Sequence, residues 1–234
     1  MPALWIGSEL REEAGFRGLT VVDSGTIITT HLTELVKENI ADLLTYGELQ
    51  KLLAELPKDS QKLLAELVPA RLSLSTFQRL LQNLLGESVS IRDLPTILEA
   101  VAEASAFAGN LMLLTEHVRS RLSRQISAAN TRDGTVPVIT LSPDWELAFA
   151  ESVVGDAEQQ QLAMAPSKLQ GFIAALRSTY DRLAREGEIP CLLTSPAIRP
   201  FVRSVIERVR PATIVLSQNE IHSRARVRSF GSVA

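Results

Sequence analysis

Cysteine and aromatic residues are scarce in this chain of 234 residues. The one cysteine, Cys191, excludes an internal disulfide and any metal site built from several cysteines, and it favours a reducing compartment. Aromatic residues make up only 5% of the sequence, so aliphatic side chains must fill the core, and 45% hydrophobic residues suffice for this. The formal net charge of −3 gives no electrostatic reason to expect nucleic acid or an anionic membrane as a partner.

Long apolar runs are also lacking. None approaches the roughly 18 to 20 residues that a membrane-spanning helix requires. Residues 1–15 contain early acidic side chains and no basic n-region, so they do not form a secretory signal peptide. Taken alone, the chain is therefore expected to be soluble and cytosolic.

Sequence signatures of catalysis are missing as well. The chain has no G-x-S-x-G elbow, no H-x-x-x-H or C-x-x-C pair and no glycine-rich phosphate loop after a strand. Its histidines, His31, His117 and His222, lie far apart, and Asp23 or Asp144 would have to complete a triad after folding. Because any chain of this size offers such combinations, we predict no catalytic residue, no metal site and no cofactor.

The most informative stretch runs from Leu80 to Glu103 and predicts two helices joined by a tight corner. Apolar residues repeat at helical spacing on both sides of Gly86, which can take a positive φ and end the first helix. For the second helix, Ser90 and Asp93 are both candidate N-caps. Asp93 is preferred because it places Pro95 in the first turn, where the amide groups lack helical partners.

Two helices around a glycine corner also resemble a helix-turn-helix in outline. A recognition helix, however, needs basic and amide side chains that face the phosphates and base edges. The second helix carries Glu99 and Glu103 on its outer side, and this acidic face would repel a duplex. The core of a helical domain is therefore preferred over a nucleic-acid-binding motif.

Other helical segments are predicted through the first half of the chain. Residues 4–14 predict a short amphipathic helix, and Leu19–Val22 predict a strand that needs a partner elsewhere. A further helix is predicted over residues 25–41, with Asp23 or Ser24 as its cap. Two more are predicted to begin at caps, one at Thr45 and one at Ser75. The remaining two are predicted near residues 60–68 and over residues 114–126.

Strand signals dominate the second half. Apolar runs at residues 136–141, 190–194 and 213–217 alternate with helical segments, which predicts βαβ crossovers and a mostly parallel sheet. Helix starts are predicted at Ser142–Pro143, at Pro166 and at Ser195–Pro196. The last predicted strand, residues 224–230, alternates arginine with apolar or small residues, a pattern typical of a charged sheet edge that blocks aggregation. A docking strip for an acidic partner is the alternative interpretation of that arginine row.

The βαβ region leaves an enzymatic alternative open. A small-molecule site would need a pocket at the carboxyl ends of strands 190–194 and 213–217, lined with convergent polar groups. Thr194, Ser195 and Ser217 lie there, but we interpret them as caps and strand ends rather than as a reacting set. That region is predicted to be filled or featureless.

Several separate segments, in the right order along the chain, resemble the FlhA family. They are Thr20–Asp23 with Thr30–Leu35, Leu81–Leu85, Val89–Leu94, Thr96–Ala100, and Val215–Ser217 with Asn219–Ile221 before an arginine-rich strand that ends at Gly231–Val233. FlhA proteins are the large export-gate components of the flagellar type III secretion apparatus, and they have relatives in virulence injectisomes.

The resemblance implies a mixed α+β fold, in which an all-helical subdomain precedes an α/β subdomain with a mostly parallel sheet. Residues 1–31 would be a remnant of the first two cytoplasmic subdomains, residues 32–113 the helical subdomain, and residues 114–234 the α/β C-terminal subdomain. Family members have an N-terminal membrane half, so the chain is expected to be a detached cytoplasmic piece from the cytoplasmic face of the bacterial inner membrane.

For function, the resemblance implies recognition and no catalysis. Nine cytoplasmic domains of the family form a ring below the membrane channel, where they receive export substrates and chaperone–substrate complexes. The implied partners are flagellar export chaperones with cargo, other export-apparatus proteins and further copies of the chain, with no nucleic acid and no direct membrane contact. Thr20 falls at the family position that lines the shallow hydrophobic site where chaperones dock, and the other main residues of that site belong to an upstream subdomain. An enzyme on the βαβ region and a helix-turn-helix nucleic-acid binder are the alternatives.

Overall fold

A computed structural model describes residues 4–104, 109–156 and 160–234. The chain divides into two compact units, one up to Leu43 and the other from Leu44 onward. Within the described ranges, no helix is both long and apolar enough to cross a membrane. The mixed α+β fold predicted from the sequence is confirmed.

The first unit is helical. After a 3-10 turn at Ser8–Leu10, its helices are α1 (Arg11–Phe16), α2 (Ser24–Glu38) and α3 (Ile40–Leu43). Asp23 caps α2 by accepting a hydrogen bond from the Thr26 amide at 2.9 Å, as its position in the sequence predicts. The strand predicted over Leu19–Val22 is wrong, because these residues have no regular secondary structure and the described part of this unit contains no strand with which they could pair.

In the described ranges, the first part of the second unit is built from helices. They are α4 (Tyr46–Ala54), α5 (Lys58–Leu67), α6 (Leu74–Gly86), α7 (Leu94–Glu103), α8 (Leu111–Arg121) and α9 (Ser123–Ala129). Thr45 caps α4, as predicted. The predicted cap at Ser75 is wrong, because Ser73 accepts the hydrogen bond from the Thr76 amide and Ser75 lies within α6. The prediction of one continuous helix over residues 114–126 is also wrong. The structure has two helices there, α8 from Leu111 and α9 from Ser123, with Leu122 between them.

The corner between α6 and α7 differs from the prediction at one residue. Gly86 is the last residue of α6, and the positive φ, 58°, belongs to Ser88. The amides of Ser88 and Val89 donate to the carbonyls of Leu85 and Leu84, which is the hydrogen-bond pattern of a Schellman motif. The N-cap of α7 is Asp93, as predicted, because its carboxylate accepts from the Thr96 amide at 3.2 Å.

A sheet of four parallel strands lies in the second part of this unit. Its strands are β1 (Val136–Leu141), β4 (Cys191–Thr194), β5 (Val215–Ser217) and β6 (Val227–Val233), in the order β5-β4-β1-β6. β2 (Val153–Val154) and β3 (Gln161–Leu162) form a separate antiparallel pair. The parallel sheet is confirmed, and the last strand does lie at its edge. The bounds predicted for this strand, residues 224–230, are wrong, because β6 begins at Val227 and of the three arginines only Arg228 lies within it.

Between the strands, the described residues form helices α10 (Pro143–Ser152), α11 (Pro166–Arg185) and α12 (Arg199–Val209). Ser142 caps α10, as predicted. The predicted helix start at Ser195–Pro196 is wrong by several residues, because α12 begins at Arg199. The Ser195 amide and hydroxyl both donate to the carboxylate of Glu146, at 3.1 and 2.7 Å.

The sheet separates two hydrophobic cores. Along β1, Val136 and Val138 pack with the core of the helical layer, whereas Ile139 and Leu141 pack with helices α10 to α12. Alternate side chains of a strand point to opposite faces, so a run of apolar residues is what a sheet buried on both sides requires. The continuous apolar sequence of β1 is explained by this arrangement.

Candidate docking surface and buried ionic cluster

Thr20 lies in the short segment between α1 and α2, and local hydrogen bonding positions this segment. The amides of Gly18 and Leu19 donate to the carbonyls of Gly15 and Ala14, and Gly18 takes a φ of +74° that L-residues rarely adopt. Three residues after Thr20, Asp23 caps α2. Two helix ends therefore hold the segment, and the Thr20 side chain is exposed to solvent.

Large apolar side chains around this segment are exposed. The exposed fraction reaches 92% for Phe16 and 81% for Trp5, and helices α1, α2 and α3 contain no buried residue. Along α2, helical spacing places Ile28, Leu32, Leu35 and Val36 in one exposed stripe. We call this stripe, together with Phe16, Leu19, Thr20 and Val22, the apolar surface of the first unit.

This surface is energetically unfavourable when it faces water. Complete burial of one Leu or Ile side chain contributes about 1.5–3 kcal/mol, and isolated helices of about 15 residues are marginally stable. Helix α2 has 15 residues and buries none of them. Its stripe is therefore a surface that a partner or another segment of polypeptide would stabilise by covering it.

The second unit contains a buried ionic cluster that the sequence analysis did not identify. Arg119 on α8 and Arg199 at the start of α12 are each about 1% exposed, which is rare for arginine side chains. Arg199 donates to Glu116 and to both carboxylate oxygens of Glu87, with Nε to Glu116 Oε2 at 2.5 Å and Nη1 to Glu87 Oε2 at 2.6 Å. Arg119 donates through Nε to the equally buried Glu220.

The cluster connects the helical layer to the sheet layer. Glu87, Glu116 and Arg119 belong to α8 and the α6–α7 corner, whereas Arg199 and Glu220 follow β4 and β5. Both arginines also approach the Val215 carbonyl, at 3.5 and 3.4 Å. The Glu220 carboxylate in addition accepts from the Ser217 amide at 2.8 Å.

Burial and opposite charges act against each other within the cluster. Burial favours the neutral acid, but the positive charges of Arg199 and Arg119 outweigh it and hold the pKa of Glu87 below its ordinary value. For Glu116, burial is the larger influence and raises its pKa, with Arg199 opposing. Burial would lower the pKa of Arg199, but Glu116 and Glu87 raise it, so Arg199 remains charged.

A sequence signal for the cluster does exist. On α8 and α9, Thr115, Val118, Leu122 and Ile126 follow the helical spacing of a buried face, and Arg119 falls within that face. An arginine in an apolar stripe is a candidate for a buried ion pair, since charged residues are almost never fully buried unless they are paired. The acidic partners could not be identified in this way, because they lie up to 101 residues away in the sequence.

The strand-end residues of the enzymatic alternative have structural partners. The Thr194 hydroxyl donates to the Ser195 carbonyl, and Ser217 belongs to the capping box that Glu220 closes. Cavities of about 280 and 210 Å³ lie nearby, and neither is lined by Thr194, Ser195 or Ser217. The larger is lined by Glu87, Glu116 and Arg199 of the ionic cluster and by further residues of α6, α8 and α12.

The three histidines are dispersed over separate elements. His31 is exposed on α2. His117 Nε2 lies 3.4 Å from the Glu103 carboxylate, and the His222 imidazole accepts a hydrogen bond from the Arg224 amide. In the described ranges, no group of three or more potential metal ligands occurs.

The acidic face of α7 is present as expected. Glu99 and Glu103 are both exposed, while Ile97, Leu98 and Val101 pack in the core of the helical layer. Arg121 on α8 is paired with Glu103 at 3.1 Å. The outer side of α7 is therefore unsuited to the phosphates of a duplex.

Sequence and structure comparisons identify relatives over the whole chain. The model of the FHIPEP family matches residues 1–226. The flagellar biosynthesis protein FlhA of Caulobacter vibrioides is 56% identical over 234 residues, which are 100% of this chain and 33% of that protein. The chain thus spans about a third of the length of the curated relatives that it matches.

Solved structures of other proteins superpose on this chain and have the same fold. The CdsV protein of Chlamydia pneumoniae superposes with a TM-score of 0.88 at 24% identity, covering 100% of this chain and 67% of that one. Nonameric SctV-C of enteropathogenic E. coli (EPEC) superposes with a TM-score of 0.79 at 27% identity, covering 97% of this chain and 68% of that one. The family match extends from the apolar surface through the ionic cluster to the start of the last strand, so this chain belongs to the FHIPEP family.

Proposed function

We propose that this chain is a docking-platform part of the protein export gate of a flagellar type III secretion system. It would lie on the cytoplasmic face of the bacterial inner membrane and bind chaperone–substrate complexes and export substrates. Support comes from the membership in the FHIPEP family and from the identity of 56% to a flagellar biosynthesis protein. On this proposal the chain presents surfaces to other proteins and is not an enzyme.

The observation that carries the proposal is the apolar surface of the first unit. It includes Thr20, the position that the family resemblance connects with chaperone docking, and none of its helical residues is buried. We propose that residues 1–31 are part of subdomains whose remainder precedes them in the longer protein. The docking site would then combine the Thr20 segment with upstream residues.

Assembly into a ring is the second part of the proposal. The EPEC relative SctV-C, at 27% identity, is nonameric, and we infer that the longer protein forms a similar ring. In it, the helical subdomain, residues 32–113, would contribute to contacts between copies. The α/β subdomain, residues 114–234, would flank the docking site, limit access to it and contact other components of the export apparatus.

A pull-down of chaperone–cargo complexes tests the docking site. The bait is either this chain or a version extended upstream by the segment that its relatives possess, and we expect much stronger capture by the longer bait. In the longer bait, Thr20→Glu places a charge in the docking site and should weaken capture. Thr30→Glu is the matched control, because Thr30 is exposed on the side of α2 opposite the stripe.

Three results would contradict the proposal. Capture could be equally strong with the short bait, in which case the upstream segment is not part of the site. Thr20→Glu and Thr30→Glu could weaken capture equally. The third such result is that neither bait captures the complexes, although circular dichroism shows that both baits are folded.

A further inference from the structure

The outer edge of β6 is open in the structure. β6 pairs with β1 on one side only and is the last strand of the sheet order β5-β4-β1-β6. All of its residues except Phe230 and Val233 are exposed. At the opposite edge, β5 is short and entirely buried, so β6 is the accessible edge of this sheet.

The hydrogen bonds to β1 determine which backbone groups of β6 are unpaired. The Val136 amide donates to the Arg226 carbonyl at 2.7 Å, and Val136 and Val138 are in register with Val227 and Ser229. The backbone amide and carbonyl groups of successive strand residues point to alternate sides of the strand. The backbone groups of Arg226 and Arg228 therefore face β1. The amides and carbonyls of Val227 and Ser229 therefore point outward. After Ser229 an irregularity in the register, with a φ of +96° at Gly231, ends the regular edge.

Positive charge surrounds these unpaired groups. Arg228 lies in β6, Arg226 directly precedes the strand and Arg224 lies in the turn before it, and all three side chains are exposed. Arg228 is held by an ion pair with Glu188 at 3.5 Å, and its guanidinium lies 4.6 Å from the centre of the Phe230 ring. Within the part of the chain that the structure describes, no ion pair involves Arg224 or Arg226.

We propose that β6 binds an extended acidic segment of a partner protein, which adds to the sheet as a fifth strand beside Val227 and Ser229. Backbone hydrogen bonds supply the binding, as in other cases of strand addition. The arginines supply the selectivity: they repel a second copy of the same basic edge and attract a strand with carboxylates at alternate positions. Protection against self-aggregation and recognition of an acidic strand thus follow from one set of residues.

The probe for this site is a blocked octapeptide that alternates glutamate with valine or threonine. Binding to the full chain is measured by fluorescence anisotropy, and amide chemical shifts locate the site. We expect the largest shifts at Val227 and Ser229. The lysine analogue of the peptide should not bind, and neither should an analogue with N-methyl groups on alternate amides, which keeps the charges but cannot form the strand hydrogen bonds.

Two variants separate the backbone contribution from the charge contribution. Ser229→Pro removes an outward amide and leaves the bonds to β1 intact, so affinity should fall about tenfold or more, whereas Ser229→Ala keeps that amide and should bind as the wild type does. Arg224→Glu combined with Arg226→Glu should weaken binding by a similar factor and spare the Arg228–Phe230 contact. The amide spectrum shows whether each variant is folded.

Several outcomes would overturn the proposal. One is the absence of binding to the folded wild-type chain, and another is a set of shifts confined to residues outside β6. If the N-methylated peptide bound as tightly as the unmodified peptide, charge alone would account for the binding and no strand would be added. Dimerisation of the chain through β6 would make a second copy the occupant in place of an acidic partner.

Discussion

Replacement of Arg199 tests how much the buried ionic cluster contributes to the stability of the fold. Arg199 is the first residue of α12, where the helix dipole disfavours a positive charge, so carboxylates must stabilise it there. Arg199→Met keeps most of the side-chain volume and leaves Glu116 and Glu87 without their main partner. Breaking one side of a buried ion pair costs about 3–5 kcal/mol, a large fraction of the 5–15 kcal/mol that typically stabilises a domain.

Urea denaturation at pH 7, followed by circular dichroism, measures this loss as a change in the free energy of unfolding. The matched control is Arg182→Met, because Arg182 forms an ion pair with Glu186 in which both side chains are more than half exposed. Exposed pairs contribute about 0–1 kcal/mol, so the control should be close to the wild type. Adding Glu116→Leu to Arg199→Met removes the unpaired carboxylate and should restore part of the lost stability.

Two results would refute this reasoning. One is a loss for Arg199→Met that is no larger than the loss for the control. The other is a double variant whose loss equals the sum of its single losses, since independent residues behave in this way and members of one buried network do not.

Two further predictions concern acid stability and a helix cap. The pKa of Glu87 is lowered in the fold, so its stabilising contribution is present above its ordinary value of 4.5 and is lost as the pH falls through the folded value. Glu87→Gln should therefore flatten the loss of stability below about pH 4.5 in a series of urea titrations, and an unchanged slope would contradict the assignment. Asp93→Ala removes the cap of α7 and should lower the free energy of unfolding by about 1 kcal/mol. Asp59→Ala alters an exposed carboxylate in the first turn of α5 that is not the N-cap, and it should change the free energy of unfolding by less than about 0.5 kcal/mol.

Local signals in the sequence predicted much of the fold. Asp93, Thr45 and Ser142 were identified as N-caps because a cap needs only a side-chain oxygen and an amide three residues later. The parallel sheet followed from short apolar strands that alternate with helices. At α6 the predicted cap, Ser75, was wrong, because Ser73 accepts the bond from the Thr76 amide and both hydroxyls are the kind of group that caps a helix.

Features that depend on distant residues were missed or mistaken. The predicted strand at Leu19–Val22 has a β-branched, apolar sequence, but strand formation depends on a partner that local sequence does not reveal. The buried cluster joins Arg119 to Glu220 across 101 positions of sequence, so neither residue indicates the other. The division at residues 31, 32, 113 and 114 stays a prediction, and so does the role of Thr20.

Hydrogen–deuterium exchange on the upstream-extended protein, with and without a flagellar chaperone–cargo complex, tests the docking role most directly. Helices α1 and α2 have no buried residue, so a docked partner would cover amides that otherwise exchange rapidly. The account predicts new protection centred on residues 16–36, and less of it in the Thr20→Glu variant. Protection confined to other parts of the chain, with residues 16–36 unchanged when the complex is bound, would contradict it.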